Sequence, residues 1–271
     1  MNMSRYFLFA VLFLAPALFC GAVALQSQDA PADPPEKDWL EFYYENPTPE
    51  QFVTRMKDWA GDGTLDNEHA RPALIAFISQ LIRQNEGDLQ RWYEDLTGLS
   101  PGQLQVVHTA MLFSRTAGAD RIMREVFGKI YDEQKQETEK ILEMPLDKRA
   151  TMDMLWGYFY ATGSESAIRR IVISFRFKEA PDNPPGVTIP DGYVPMYKEL
   201  PEFAAGALIA NGERHPRIVE ILRELYEKDE SLMKVEKEGV YEVLSALDPK
   251  KYPPVPKEPE EPKAAKDPKA A

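Results

Sequence analysis

Asp153 is the carboxyl group of this sequence whose surroundings best suit acid–base chemistry. It lies in a predicted helix rich in aromatic residues, and helical spacing places it on the side of Trp156 and Gly157. Burial beside large rings raises the pKa of a carboxyl group, and glycoside hydrolysis uses two carboxyl groups that flank the scissile bond. With 44 acidic residues in the chain, one acid beside a tryptophan is expected by chance. The pattern therefore predicts a candidate surface, and it assigns no catalytic residue.

Two arginines extend this candidate surface. Its members are Asp153, Trp156, Tyr160, Arg169 and Arg170. Arg169 and Arg170 also form a basic patch with Arg176, which a solvated helix face explains. The net charge of the chain is −12 at pH 7. Because phosphate neutralisation supplies most non-specific affinity for nucleic acid, this charge argues against a nucleic-acid partner.

Residues 58–69 resemble an EF-hand calcium loop. The oxygen ligands on offer are Asp58, Asp62, Asp66 and Glu68. Gly63 stands at the sixth position, where the loop turns sharply, but Ala60 replaces a ligand at the third and His69 replaces the glutamate that closes the loop. Calcium takes roughly six to eight oxygens. The sequence therefore favours an ordinary Gly-Asp turn with Asp66 as a helix cap, and calcium binding is the alternative.

Histidine and cysteine offer little further chemistry. His108 lies on the apolar face of its predicted helix and is predicted to be a core or edge residue, although histidine titrates near neutral pH. His69 and His215 lie near helix starts and are predicted to cap helices or to face solvent. The histidine spacing does not predict a zinc site, and serine-hydrolase, nucleotide-binding and penicillin-binding motifs are absent. We expect no metal and no cofactor.

The N-terminus has the pattern of an export signal. Residues 1–24 carry no acid and one basic residue, Arg5, followed by an apolar stretch that ends in Ala-Val-Ala. This predicts a signal peptide over residues 1–24 and a flexible linker over residues 25–35. An uncleaved membrane anchor and a lipoprotein modified at Cys20 are the alternatives. Cleavage removes one positive charge, which makes the net charge −13, and it removes Cys20, the one cysteine. We expect a periplasmic or secreted protein without disulfides and without stable membrane insertion.

Residues 36–247 have the 3.6-residue apolar period of α-helices, which predicts an all-α domain. Residues 48–51 and residues 100–103 both have the pattern of a capping box with proline at the first helical position. His215-Pro216 places another proline at a helix start. These signals predict helices that begin just after Thr48, Ser100 and His215.

Short turns with glycine join the predicted helices, at Gly87, Gly118, Gly163 and Gly212. Their spacings of 31, 45 and 49 residues indicate an imperfect repeat of αα-hairpins. The chain is in this respect similar in class to HEAT-type and tetratricopeptide repeat proteins, which implies an irregular α-solenoid; the alternative is a single irregular helical bundle. Residues 42–50 and 160–163 also resemble exported bacterial helical proteins whose function is not established.

Two segments depart from the helical pattern. Residues 178–194 contain four prolines and two glycines, which predicts a long loop that lies on the helical body. Residues 248–271 contain seven prolines, six lysines and few apolar residues, which predicts a disordered Pro/Lys-rich tail. A solvated spacer and a docking strand are the alternative roles for this tail.

These features together predict an exported, non-enzymatic helical repeat protein that binds a protein partner in the cell envelope. Stacked hairpins build extended binding surfaces, and the sequence contains no complete catalytic constellation. The alternatives are an envelope hydrolase with paired carboxylates and a calcium-dependent binding protein that uses residues 58–69. The identity of the partner is not encoded in any motif.

Overall fold

The structure, a computed structural model, describes residues 38–181 and 196–255. By its contacts the chain divides into residues 1–36 and residues 37–271, and every described residue belongs to the second unit. The predicted signal peptide, Cys20 and the linker over residues 25–35 lie outside the described residues. So do most of the predicted loop, residues 182–195, and residues 256–271 of the tail.

The described chain is all-α, as predicted. It contains eleven α-helices: α1 (Phe52–Gly61), α2 (Arg71–Gln84), α3 (Leu89–Leu96), α4 (Pro101–Ser114), α5 (Ala117–Phe127), α6 (Lys129–Glu137), α7 (Arg149–Thr162), α8 (Glu165–Ile173), α9 (Met196–Gly212), α10 (Pro216–Lys228) and α11 (Lys234–Leu247). Short 3-10 helices span Tyr43–Glu45, Pro49–Gln51, Thr64–Asp66, Glu86–Asp88, Ile141–Glu143 and Ser174–Glu179. None of the helices in these residues combines the length and apolarity needed to cross a bilayer.

One of the two predicted capping boxes forms. The Ser100 side chain accepts a hydrogen bond from the backbone N–H of Gln103, and the Gln103 side chain accepts one from Ser100 N–H, so α4 begins as predicted. The Thr48 box is absent, because the Thr48 hydroxyl accepts a hydrogen bond from Trp39 Nε1 at 2.8 Å and the chain continues as a 3-10 helix. A tertiary contact has replaced the local one.

Gly163 is the one glycine of the four predicted turns that has a positive φ, and Gly87 lies in the 3-10 helix Glu86–Asp88 between α2 and α3. Gly163 has φ +62° and ends α7 in the left-handed conformation that glycine adopts without strain. Between α4 and α5 it is Arg115 that adopts a positive φ, of 54°, whereas Gly118 lies inside α5. Gly118 N–H donates to Glu86 Oε1 at 2.6 Å. Gly212 is the last residue of α9 and packs against Leu247. Close packing explains both of these glycines.

Helices α2 and α7 form the central contact of the described fold. Helix α2 packs against both α7 and α4, and the consecutive pairs α4–α5, α7–α8, α9–α10 and α10–α11 also contact each other. Two hydrophobic clusters result, one built mainly from residues 43–131 and one from residues 141–252. The arrangement of these hairpins as a solenoid or as a bundle stays a prediction.

The structure describes the first residues of the predicted loop and of the predicted tail. The 3-10 helix Ser174–Glu179 extends into the predicted loop by two residues. Residues 248–255, which follow α11, are held against the helices: Tyr252 is buried, and its backbone N–H donates to Asp248 O at 2.9 Å. Tyr252 thus provides an apolar anchor within the first residues of the predicted tail, and the rest of that tail, from residue 256, stays a prediction.

Candidate functional site

An apolar groove runs between helices α4, α5 and α6. Its volume is about 770 Å³. The side chains that line it are Pro101, Leu104, Gln105, His108, Thr109, Leu112, Met123, Val126, Phe127, Ile130, Gln134, Glu137 and Thr138. We call it the α4–α6 groove.

Exposed apolar side chains concentrate at this groove. The large apolar side chains that are exposed in residues 38–181 and 196–255 are Val126, Phe127, Ile130, Met233 and Val255. Three of these five line the α4–α6 groove, with exposed fractions of 46% for Val126, 40% for Phe127 and 62% for Ile130. A clustered apolar surface of this kind marks a contact site in a soluble protein more often than scattered exposed residues do.

A break in the helix creates this exposure. Gly128 separates α5 from α6 with φ 60° and ψ −137°, a conformation that a residue with a side chain rarely adopts. Phe127 and Ile130 lie on either side of this break. The change of direction keeps their side chains out of the core that buries Ile122 and Met123.

Polar contacts hold α6 against α5. The Asp120 carboxylate accepts hydrogen bonds from the Tyr131 hydroxyl and Lys135 Nζ, both at 2.5 Å. Burial alone would raise the pKa of Asp120, but the hydrogen bonds from Lys135 and Tyr131 hold that pKa below its ordinary value. Arg124 adds an ion pair to Asp132 at 2.9 Å. These contacts fix the wall of the groove that carries Ile130.

A second contact holds the other end of α6. The guanidinium of Arg115, at the C-terminus of α4, donates to the backbone carbonyl of Thr138 just beyond α6. Because α6 is held at both ends, the groove exists without a bound partner. A preformed groove binds more tightly than one that must first be ordered, since less entropy is lost on binding.

His108 is the histidine that lines the groove. Its Nε2 lies 3.0 Å from the Tyr93 hydroxyl, and its ring packs edge to face on Phe127 with centroids 4.9 Å apart. Burial lowers the pKa of His108 and raises the pKa of Tyr93. The neutral imidazole is therefore favoured, in agreement with the predicted edge position.

The lining chemistry suits binding of apolar side chains. Glu137 is the one formally charged side chain among the lining residues, and the other polar groups are amides, hydroxyls and the imidazole of His108. Thr109 and Thr138 both donate their hydroxyl hydrogens to backbone carbonyls of their own helices, at 2.7 Å. The groove therefore presents apolar surface with one negative charge at its edge.

The predicted candidate surface separates into core and edge residues. Asp153 is half-buried in α7, and burial raises its pKa, which Arg149 and His69 partly offset. Trp156 is buried, so it lies in the core and is not exposed on a surface. The Tyr160 hydroxyl donates to Asn211 Oδ1 at 2.6 Å, which joins α7 to α9. None of these three residues lines the α4–α6 groove.

Arg169 and Arg170 join neighbouring parts of the chain. Arg169 Nε pairs with Asp229 Oδ2 at 2.9 Å, and Arg170 donates to the Met144 carbonyl at 2.6 Å. Hydrogen bonds from Ser231, together with Arg169, lower the pKa of Asp229 to about 2. Burial lowers the pKa of Arg170. These contacts stabilise the fold, so the two arginines do not form a free basic patch.

The predicted calcium loop has other geometry in the structure. Asp58 belongs to α1, Asp62 Oδ1 accepts the Thr64 N–H at 2.8 Å, and Asp66 Oδ2 accepts from Gln103 Nε2 at 2.9 Å. Asp66 does not cap a helix, which corrects that prediction: α2 begins five residues later at Arg71. Glu68 is exposed. Over residues 38–181 and 196–255, no three His, Cys, Asp or Glu side chains are grouped to hold a metal.

His215 is the N-cap residue of α10, but its side chain makes no capping hydrogen bond and is buried, contrary to the prediction that it faces solvent. Its Nδ1 lies 3.2 Å from the Tyr44 hydroxyl, and its ring stacks on Phe42 with centroids 4.4 Å apart. Phe159 and Tyr160 of α7 complete the cluster, with centroids 6.0 and 5.7 Å away. The extended backbone that precedes Pro216 places His215 outside α10, where it joins the N-terminal segment to α7.

The groove residues Val126, Phe127 and Ile130 were not identified from the sequence. Ile122, Met123 and Val126 share one face of α5, so periodicity predicts that all three are buried. The sequence does contain one indication of the exposed site, which is Gly128: it interrupts an otherwise helical pattern between two apolar residues.

Comparison with known proteins gives no match: no family model, curated protein or solved structure is significantly similar to this chain.

Proposed function

We propose that this protein is an exported, non-catalytic helical protein that binds a partner protein through the α4–α6 groove. The observation that carries the proposal is the clustering of Val126, Phe127 and Ile130 at a preformed apolar groove. The N-terminal sequence pattern supports export. The partner is expected in the cell envelope.

The groove suits a short segment with apolar anchor residues and a neighbouring basic residue. A groove between helices accommodates an amphipathic helix whose apolar side chains enter it at helical spacing. Glu137 places one negative charge in the lining, and the whole chain carries a net charge of −12. A basic residue beside the apolar anchors would therefore pair with Glu137 and speed association.

Site-specific crosslinking in native cells tests the proposal. A photoreactive amino acid replaces Ile130 in the groove or, as the matched control, Met233, which is also exposed but lies outside the groove. We expect one protein to be crosslinked reproducibly from position 130 and not from position 233. Its apolar segment, made as a peptide, should bind the purified chain.

Charge substitution then tests the surface itself. Ile130→Glu should weaken binding of that peptide at least tenfold, whereas Met233→Glu should leave its affinity unchanged, because only the first places a charge in the groove. Circular dichroism and thermal melting check that both variants fold. Equal crosslinking from both positions, or unchanged affinity for the Ile130→Glu variant, would overturn the proposal.

A further inference from the structure

A second groove lies along α11, beside the last described residues of the chain. Its volume is about 1500 Å³. Its lining residues are Tyr226, Glu227, Leu232, Lys234, Lys237, Glu238, Tyr241, Glu242, Ser245, Pro254 and Val255. We call it the α11 groove. The chain itself contributes Pro254 and Val255 to its wall, so the groove continues the path of the C-terminal segment.

Tyr252 anchors the chain at the entrance of this groove. It is buried, and its ring packs nearly perpendicular to those of Tyr226 and Tyr241 with centroids 6.0 Å away in each case. Its hydroxyl donates to Glu227 Oε1 at 3.0 Å, and Lys251 pairs with the same oxygen at 3.1 Å. This anchor fixes where the following proline-rich residues begin.

Tyr241 contacts the proline-rich residues directly. Its hydroxyl donates to the carbonyl of Pro253 at 2.8 Å. A tyrosine that donates to a backbone carbonyl, among other aromatic rings, is the arrangement that recognises polyproline segments, whose carbonyls make no hydrogen bonds within the segment. Val255 is 70% exposed and lies at the groove, so the described chain stops with an apolar residue whose burial is incomplete.

The chain after α11 runs antiparallel to that helix, along the α11 groove. Helix α11 ends at Leu247, whereas Pro253 lies level with Tyr241, so the chain runs back toward the start of α11. Lys234 lies seven residues before Tyr241, a distance of about 10 Å along the helix. A polyproline segment advances about 3.1 Å per residue, so three to four residues after Pro253 bring the chain level with Lys234.

The lining of the groove carries charges of both signs, with Glu227, Glu238 and Glu242 beside two lysines. Lys234 and Lys237 line it on α11, and Lys234 makes only a long, 3.5 Å pair with Glu238. Residues 256–262 read Pro-Lys-Glu-Pro-Glu-Glu-Pro, with three acids and one lysine. The first of these acids, Glu258, follows within about two residues of the position opposite Lys234.

We propose that residues 256–262 bind in cis along the α11 groove, with their prolines on the Tyr241 side and Glu258, the first of their acids, near Lys234. The tail is then a ligand of its own domain, and the α11 groove is a site for proline-rich, acidic segments. The proposal is independent of the α4–α6 groove and goes beyond the proposed function.

Paramagnetic relaxation in the full chain tests this binding. Cys20→Ser removes the one cysteine, and Lys263→Cys then carries a nitroxide label just after the proposed segment. We expect the label to reduce the amide signals of residues 234–241 at least twofold. The double variant Lys234→Glu/Lys237→Glu should abolish this loss, and Tyr241→Phe should diminish it.

Lys228→Glu is the matched control, because Lys228 is 72% exposed on α10 and does not line the groove. It should leave the relaxation pattern unchanged. An identical pattern in the Lys234→Glu/Lys237→Glu and Lys228→Glu variants would overturn the proposal. A second experiment mixes spin-labelled chains with isotope-labelled chains that carry no nitroxide. Signal loss in the isotope-labelled chains would show that the tail of another copy occupies the groove, and it would overturn binding in cis.

Discussion

Gly157 of α7 lies directly against the backbone of Ala73 in α2. A Cβ atom at Gly157 would stand 1.9 Å from the Ala73 carbonyl oxygen and 2.7 Å from its carbonyl carbon. The neighbour is backbone and cannot rotate away. The close contact between the two central helices at this point therefore depends on the absence of a side chain at Gly157.

We expect Gly157→Ala to destabilise the protein by about 1–3 kcal/mol or more, because the two helices must separate to admit the methyl group. Gly206→Ala in α9 is the control: Gly206 has open space around it, and the substitution should stabilise the helix by about 0.5–1 kcal/mol. Urea unfolding measures both. Equal effects of the two substitutions would show that the α2–α7 approach tolerates a side chain.

The buried carboxylate of Glu236 depends on Arg176. Glu236 is 1% exposed; its Oε1 accepts from Arg176 Nε and the terminal nitrogen at 2.9 and 2.7 Å, and its Oε2 accepts the Met233 N–H at 2.8 Å. Arg176→Met leaves this carboxylate without a cation, so we expect a loss of about 3 kcal/mol in unfolding free energy, at the lower end of the range for buried pairs because Arg176 is partly exposed.

A double-mutant cycle with Glu236→Gln should recover much of that loss, since the neutral amide still accepts from Met233 and has no charge to compensate. Lys178→Met is the control on the same two elements: its ion pair with Glu242 is exposed, and its loss should cost under about 1 kcal/mol. If Arg176→Met and Lys178→Met lowered the unfolding free energy by similar amounts, burial of the Glu236 carboxylate would not be the cause of the larger loss that we expect for Arg176→Met.

Asp153 should destabilise the folded state at neutral pH. Its folded-state pKa is raised by burial above the ordinary value of 3.8, so the charged form is disfavoured in the folded protein. This loss of folding free energy is fully present above the pKa of Asp153 in the folded protein, and it disappears below pH 3.8. Asp153→Asn should therefore raise the free energy of unfolding at pH 7, and this gain should shrink as the pH falls toward 4.

Denaturant unfolding at pH 7 and pH 4 measures the effect, and Glu68→Gln, at an exposed position, is the control with no expected gain. A lower stability of Asp153→Asn at pH 7 would show that attraction to Arg149 outweighs burial.

His108 should make stability depend on pH in the opposite direction. Burial lowers its folded-state pKa below 6.5, so the unfolded chain takes up a proton at a higher pH than the folded protein does. The stability that this group contributes is present above pH 6.5 and is lost as the pH falls toward the folded-state pKa. We expect His108→Gln to flatten the stability profile between pH 7.5 and pH 5.5.

NMR titration of the imidazole measures the pKa directly, and His69→Gln provides the control because His69 is exposed. A His108 pKa at or above 6.5 would contradict the prediction. Because His108 contacts Phe127 in the α4–α6 groove, acidification should also weaken binding of an apolar peptide there.

The sequence alone determined the helical class, the beginning of α4 and the turn at Gly163. Each of these depends on a few neighbouring residues: the Ser100–Gln103 capping box closes within one helical turn, and Gly163 needs only its own backbone freedom. The buried face of α10 is local in the same sense, because Ile218, Ile221, Leu222 and Leu225 recur at helical spacing.

Only the tertiary structure decided which of these faces remain uncovered and which polar residues are buried. Val126 follows the same period as buried Met123, yet the change of direction at Gly128 leaves it exposed. His215 lies 171 residues from its partner Tyr44, and Thr48 binds Trp39 instead of its own helix. Such contacts join residues that are distant in the chain, or they compete with local hydrogen bonds. Whether they form therefore depends on how α2 and α7 bring the two hydrophobic clusters together.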